Sequence, residues 1–141
     1  MRGVLLDTHA LYWLVSGTQP LSDEALVAIG ESQEAGSLCV SAITAWELSL
    51  AIRKPKNAPE IGDVNAGKWF RQAVWETAAK LISINLNIAV EAANVVAATG
   101  HKDPGDCYLM ATARVRRMPI ISRDRAMQAI AATGYIDIVS C

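Results

Sequence analysis

Short apolar runs alternate along the chain with longer stretches in which apolar positions recur every three or four residues. The runs "GVLL" (3–6), "SLCV" (37–40), "LISI" (81–84), "PIIS" (119–122) and "YIDIV" (135–139) read as strands. The periodic stretches read as helices over 8–15, from Ser22 to about Gly36, and over 42–53, 68–80, 88–98, 104–115 and 125–132. Gly17 stands where the first helix should end, and Ser22 followed by Asp23 and Glu24 marks the start of the second. Residues 54–67, "KPKNAPEIGDVNAG", carry two prolines and two glycines and predict a loop too short to divide the chain.

Strands that alternate with helices pair in parallel through right-handed crossovers, which places helices on both faces of one sheet. The unbroken apolar character of "VLL" and "PII" fits strands covered on both sides. At 141 residues the chain predicts one domain, 1–141, with a substantial core. Its 52% hydrophobic and 19% charged content excludes disorder. A formal net charge of −1 excludes a global attraction to nucleic acid or anionic membrane, so any such binding must rest on a local patch. No apolar run is long enough to span a bilayer. Asp7 and His9 interrupt the start "MRGVLLDTHALYWLV", which therefore lacks the form of a signal peptide. Cys39, Cys107 and Cys141 are odd in number and far apart, which predicts no disulfide framework and suits a cytoplasmic location.

The candidate chemistry lies in the acids. Sites in open α/β sheets form beyond the carboxyl ends of the strands. Asp7 follows the first strand directly, and Asp124 follows "PIIS" by one residue. Either acid could equally be a helix cap at a strand-to-helix turn. In "HKDPGDCYLMATA" (101–113), Pro104 suits the first helical position, which makes Asp103 the N-cap and puts Asp106 in the first turn. Asp106 then either complements the helix dipole or belongs to a site. Glu47 shares a helix face with Ile43, Leu50 and Ala51, where a lone carboxylate is costly unless it has a partner or a function. Asp23 sits early in a helix and Asp137 within a strand, so neither looks like a site residue. Were Asp7, Glu47, Asp106 and Asp124 to converge, their repulsion would call for a cation, and hard oxygen donors suit Mg2+ or Mn2+.

Four segments, "LLDTHALYWLV" (5–15), "VSAITAWELSLAIRK" (40–54), "HKDPGDCYLMATA" and "PIISRD" (119–124), together resemble the PIN-domain ribonucleases, in particular the VapC-type toxins of bacterial toxin–antitoxin pairs. The resemblance covers nearly the whole chain. It implies a three-layer α/β/α sandwich around a mainly parallel sheet and Mg2+- or Mn2+-dependent endoribonuclease activity. It also implies a homodimer and a cognate antitoxin. Asp7, Glu47, Asp106 and Asp124 match the family's metal-site acids. Thr8, Ser122 and Asp103 match supporting positions. The pattern is broken at Gly105, where a bulky residue such as Phe is expected, and at Cys107, where Arg is expected. These breaks leave open an alternative: a catalytically weak or inactive module of this fold that binds RNA or a protein.

Six basic residues lie between 101 and 125. Arg123 and Arg125, which flank Asp124, and Lys102 are the candidates for gripping an RNA backbone. Arg114, Arg116 and Arg117 equally well complement a helix C-terminus. Arg53, Lys54 and Lys56 form a second basic cluster. His9 and His101 are expected in local hydrogen bonds, Trp13 and Trp46 in the core, and Trp69, Phe70 and Trp75 in the core or a subunit interface. Nucleotide-binding folds are disfavoured by the absence of GxGxxG and GxxxxGK[ST]. "LDTHA" lacks the second aspartate of a haloacid-type phosphatase, and "LISI" ends without the acid of a phospho-receiver.

Overall fold

The computed structural model describes residues 3–141. Five strands, β1 (Val4–Leu6), β2 (Leu38–Ser41), β3 (Lys80–Ile82), β4 (Ile120–Ser122) and β5 (Ile138–Ser140), form one sheet in the order β3-β2-β1-β4-β5. Every pairing is parallel, with Leu5 opposite both Cys39 and Ile120. Seven helices connect and cover the strands: α1 (Thr8–Ser16), α2 (Asp23–Glu34), α3 (Ala42–Ala51), α4 (Ala66–Thr77), α5 (Leu86–Thr99), α6 (Pro104–Arg116) and α7 (Arg125–Ala131). The expected α/β/α sandwich is therefore present.

Side chains on a strand alternate between faces, and both faces here are covered. Leu5, Cys39 and Ile120 point toward α5, α6 and α7, where they meet Ile88, Val95, Leu109, Met110 and Met127. Val4, Leu6, Val40 and Ile121 point the other way, onto Ala10, Leu11, Ala25, Ile29 and Phe70 of α1, α2 and α4. The sheet is thus the shared floor of two cores. Gly3 enters it where the chain presses on the turn before β2: a Cβ there would overlap the Ser37 carbonyl oxygen and lie 2.8 Å from the Ser37 Cβ. Gly3→Ala should therefore destabilise the fold by about 1–3 kcal/mol, measured by denaturant titration, because backbone on both sides must shift.

Element types agree with the sequence pattern, and several boundaries move. The last strand starts at Ile138 instead of 135, because Tyr135 and Ile136 are held against α6 and the core. There Tyr135 offers its carbonyl oxygen to Arg114 at 2.6 Å and its ring to the guanidinium at 3.8 Å. The fourth helix starts earlier than expected, at Ala66, because Asn65 caps it by accepting from the Lys68 N–H at 2.8 Å. It also ends earlier, at Thr77, since Ala78 turns left-handed and sends Lys80 into β3. Trp46 departs from the expected core position, and for Trp75, expected in the core or a subunit interface, the core half of the reading is removed. Trp46 is 46% exposed and Trp75 79% exposed, so neither is core.

Among the described residues, no helix is long and apolar enough to cross a membrane.

Candidate metal centre

The chain runs from the central strand β1 outward through β2 to β3, then crosses back to β4 and β5 on the other side of β1. The reversal leaves a crevice at the carboxyl end of β1, between β2 and β4. Asp7 stands at its floor. It is 4% exposed, its Oδ1 accepts from the Ala10 N–H at 2.7 Å as the N-cap of α1, and its carboxylate is hydrogen-bonded by the Ser122 hydroxyl. Burial raises its pKa, and these hydrogen bonds and His9 only partly oppose that; the charge of Asp106 adds to the rise.

Glu47 reaches the same region from the middle of α3. Thr8 donates its hydroxyl to Glu47 Oε1 at 2.6 Å, while lying 3.2 Å from the Thr44 hydroxyl. Burial pushes the Glu47 carboxyl up to about 7, against the Thr8 hydrogen bond and with help from the negative charges of Asp106, Asp103 and Asp7. Lys54 remains exposed beyond the end of α3. Asp106, in the first turn of α6, also has a raised pKa. Burial is the main cause, and Asp103 and Asp124 add to it. His101 Nε2 lies 2.8 Å from Asp106 Oδ2 and works in the opposite direction.

Asp103 and Asp124, like Asp7, cap helices. Asp103 Oδ1 accepts from the Asp106 N–H at 3.0 Å and caps α6, with Pro104 at the first helical position as expected. Asp124 Oδ2 accepts from the Met127 N–H at 2.8 Å and caps α7, while Ser122 Oγ accepts from the Asp124 N–H at 3.0 Å. A cap uses one carboxylate oxygen, so capping and ion binding are compatible in one aspartate.

The acids fall into two adjoining groups. Glu47, Asp103 and Asp106 each offer a carboxylate oxygen within 4.8 Å of the other two. Asp7 and Asp124 line a neighbouring cleft of about 370 Å3 with His9, Trp13, Arg123 and Arg125. The groups are linked electrostatically, since Asp106 raises the pKa of Asp7 and Asp124 raises that of Asp106. Among the described residues, the ion pairs at these acids reduce to His101 with Asp106. Asp7 is buried, Glu47 and Asp106 are half-buried, and among the described residues no lysine or arginine pairs with them, which leaves neutralisation by protons or by a cation. Three oxygen donors at this spacing suit a hard divalent ion.

Of the basic candidates, Lys102 and Arg125 are exposed. Arg123 is committed within the protein: its guanidinium donates to the carbonyl oxygens of Pro20 at 2.7 Å and Cys141 at 2.5 Å, and lies 4.3 Å from the centre of the Trp13 ring. Arg123→Ala should cost about 1–2 kcal/mol of stability, whereas Arg125→Ala should leave the melting temperature unchanged.

His101 makes the local hydrogen bond expected of it, with Asp106 five residues on as the partner. One feature escapes sequence reasoning. Gly105 stands out only as a break in a motif, yet it is packed against Glu47. Cys107 fills the buried space behind the site, as expected of a packing residue, and its thiol donates to the His101 carbonyl oxygen at 3.2 Å.

A parallel α/β/α sandwich with carboxylates gathered at the switch point of its sheet is an architecture whose crevice suits a cation. The particular family is shown by a match to the PIN domain model over residues 4–133, and the chain belongs to that family. Similar solved structures include the DNA-bound VapBC of Salmonella typhimurium, at 16% identity, 99% of this chain and 98% of that one, TM-score 0.67. VapBC-5 of Mycobacterium tuberculosis matches at 16% identity over 100% of both chains, TM-score 0.63. A toxin–antitoxin complex of Klebsiella pneumoniae matches at 22% identity over 97% and 96%, TM-score 0.60. No curated protein matches the sequence significantly.

Proposed function

We propose that the protein is a divalent-metal-dependent endoribonuclease and the toxin of a toxin–antitoxin pair, acting in the cytoplasm as a single domain, 1–141, that forms a homodimer. The observation that carries the reading is the convergence of Glu47, Asp103 and Asp106 within 4.8 Å beside the buried Asp7, in a PIN domain. The toxin role is supported by solved structures of the same fold that are toxin–antitoxin complexes.

Asp7, Glu47, Asp106 and Asp124 are the acids assigned to hold Mg2+ or Mn2+, with Asp103 near enough to join them. A bound ion supplies positive charge that polarises a phosphodiester and acidifies water. The protein does the rest by orientation. Thr8 holds one Glu47 oxygen, Ser122 holds Asp7 and the start of α7, and His101 holds one oxygen of Asp106. Lys102 and Arg125 supply exposed positive charge for the RNA backbone at the rim.

Incubation of labelled RNA with the purified protein and Mn2+ should give internal cleavage that stops on chelation. RNA binding without cleavage would instead favour the inactive-module reading, which the "DPGDC" departure encourages. Expression should arrest growth, and co-expression of the adjacent gene's product should relieve it.

A further inference from the structure

We propose that Gly105 is a positioning residue for this site: carrying no side chain, it lets the Glu47 carboxylate lie against the first turn of α6, beside Asp103 and Asp106. The inference rests on the metal-site reading above and adds the residue that determines where one donor sits.

Gly105 is buried in the first turn of α6, between Asp103 and Asp106. Its backbone needs no glycine, since it is not among the positive-φ positions. Glycine inside a helix is, if anything, unfavourable relative to alanine. The reason for it is therefore steric. A Cβ at this position would overlap the Glu47 carboxylate and lie 2.9 Å from its Cγ. Glu47 is the flexible member of that contact, because its carboxylate ends a side chain whereas Gly105 is part of a capped helix. An added methyl would push the carboxylate aside, breaking the 2.6 Å bond from Thr8 and removing Glu47 from the group that includes Asp103 and Asp106. In this chain, glycine brings the carboxylate close to the helix N-terminus, where a negative charge is also favoured by the helix dipole.

The test is Mn2+ titration of the full chain by calorimetry. Gly105→Ala should bind Mn2+ roughly 10- to 100-fold more weakly than the unaltered protein, as when a ligand loses its orientation. Its melting temperature should be unchanged or slightly raised, since alanine favours helix. Glu47→Asp alone should weaken binding, but in the Gly105→Ala background the shorter side chain should avoid the methyl and restore part of the affinity. That sign reversal is the signature of a direct steric coupling. Equal Mn2+ affinity in Gly105→Ala and the unaltered protein would overturn the proposal, as would purely additive effects of the two changes. A crystal structure of Gly105→Ala with the Glu47 carboxylate unmoved would also overturn it, whatever the variant's stability. If the unaltered protein binds no Mn2+, the metal-site reading fails and the proposal falls with it.

Discussion

Asp106→Asn is expected to reduce Mn2+-dependent RNA cleavage by at least about a thousandfold, because the lost carboxylate stands for several kcal/mol of ion-mediated stabilisation of the reacting phosphate. The fold should survive. Asp106 is not the cap of α6, a duty that falls to Asp103, and the amide keeps the shape needed beside His101. Asp7→Asn should be equally damaging to activity for a different structural reason. Asn remains a good N-cap, so the bond from the Ala10 N–H is kept while the charge is removed. Burial already disfavours the ionised form of Asp7, so Asp7→Asn should melt no earlier than the unaltered protein without metal. At Asp7, asparagine therefore separates capping from charge in a way alanine cannot. Gel analysis of cleaved RNA, with thermal melts of each variant, reads both. Cleavage that persists in either folded variant contradicts the assignment.

Mn2+ affinity should fall as pH falls below about 7, by about tenfold per pH unit while one proton competes, and more steeply as further acids take up protons. Glu47 supplies the first of these protons, since burial holds its carboxyl up at about 7. Asp106 and Asp7, both raised by burial, add to the slope at lower pH. The metal-free protein should show the opposite trend in stability. A raised folded-state pKa means that the folded state retains a proton the unfolded chain releases. The stabilisation is complete below the ordinary Glu value of 4.5 and is lost as pH rises through about 7. Without metal, melting temperature should decline over that window, and Mn2+ should restore it most strongly above pH 7. Glu47→Gln should flatten much of the decline and weaken the response to Mn2+. A stability profile unchanged by Glu47→Gln would show that Glu47 is already ionised at little cost.

The order of strands and helices is legible in the sequence because short apolar runs bounded by turn residues alternate with longer stretches of helical period. Caps such as Ser22 and Asp103 also mark their helices directly. Less legible is what depends on contacts between distant segments. Nothing local distinguishes 135–137 from a strand, yet Arg114, 21 residues away, holds Tyr135 outside the sheet. Asp7, Glu47 and Asp124 were accessible as candidates because strand ends and an apolar helix face make carboxylates conspicuous, and Asp106 through its place in the family motif. Their division into two adjoining groups was not, because it depends on how α3 packs against α6. Asp103 reads in the sequence as a helix cap, and it is one; the approach of Glu47 to it and to Asp106 follows from tertiary packing. Arg123 shows the converse. Its place next to Asp124 suggests a hand on substrate, while its side chain turns back to Trp13 and to two backbone carbonyls.

Anomalous diffraction from a crystal soaked in Mn2+ tests the central claim most directly. A peak within bonding distance of oxygens from Asp106 and Glu47, with Asp7 or Asp103 adjacent, is the predicted result. A well-ordered site without a peak, or manganese bound only to acids elsewhere on the surface, would contradict it.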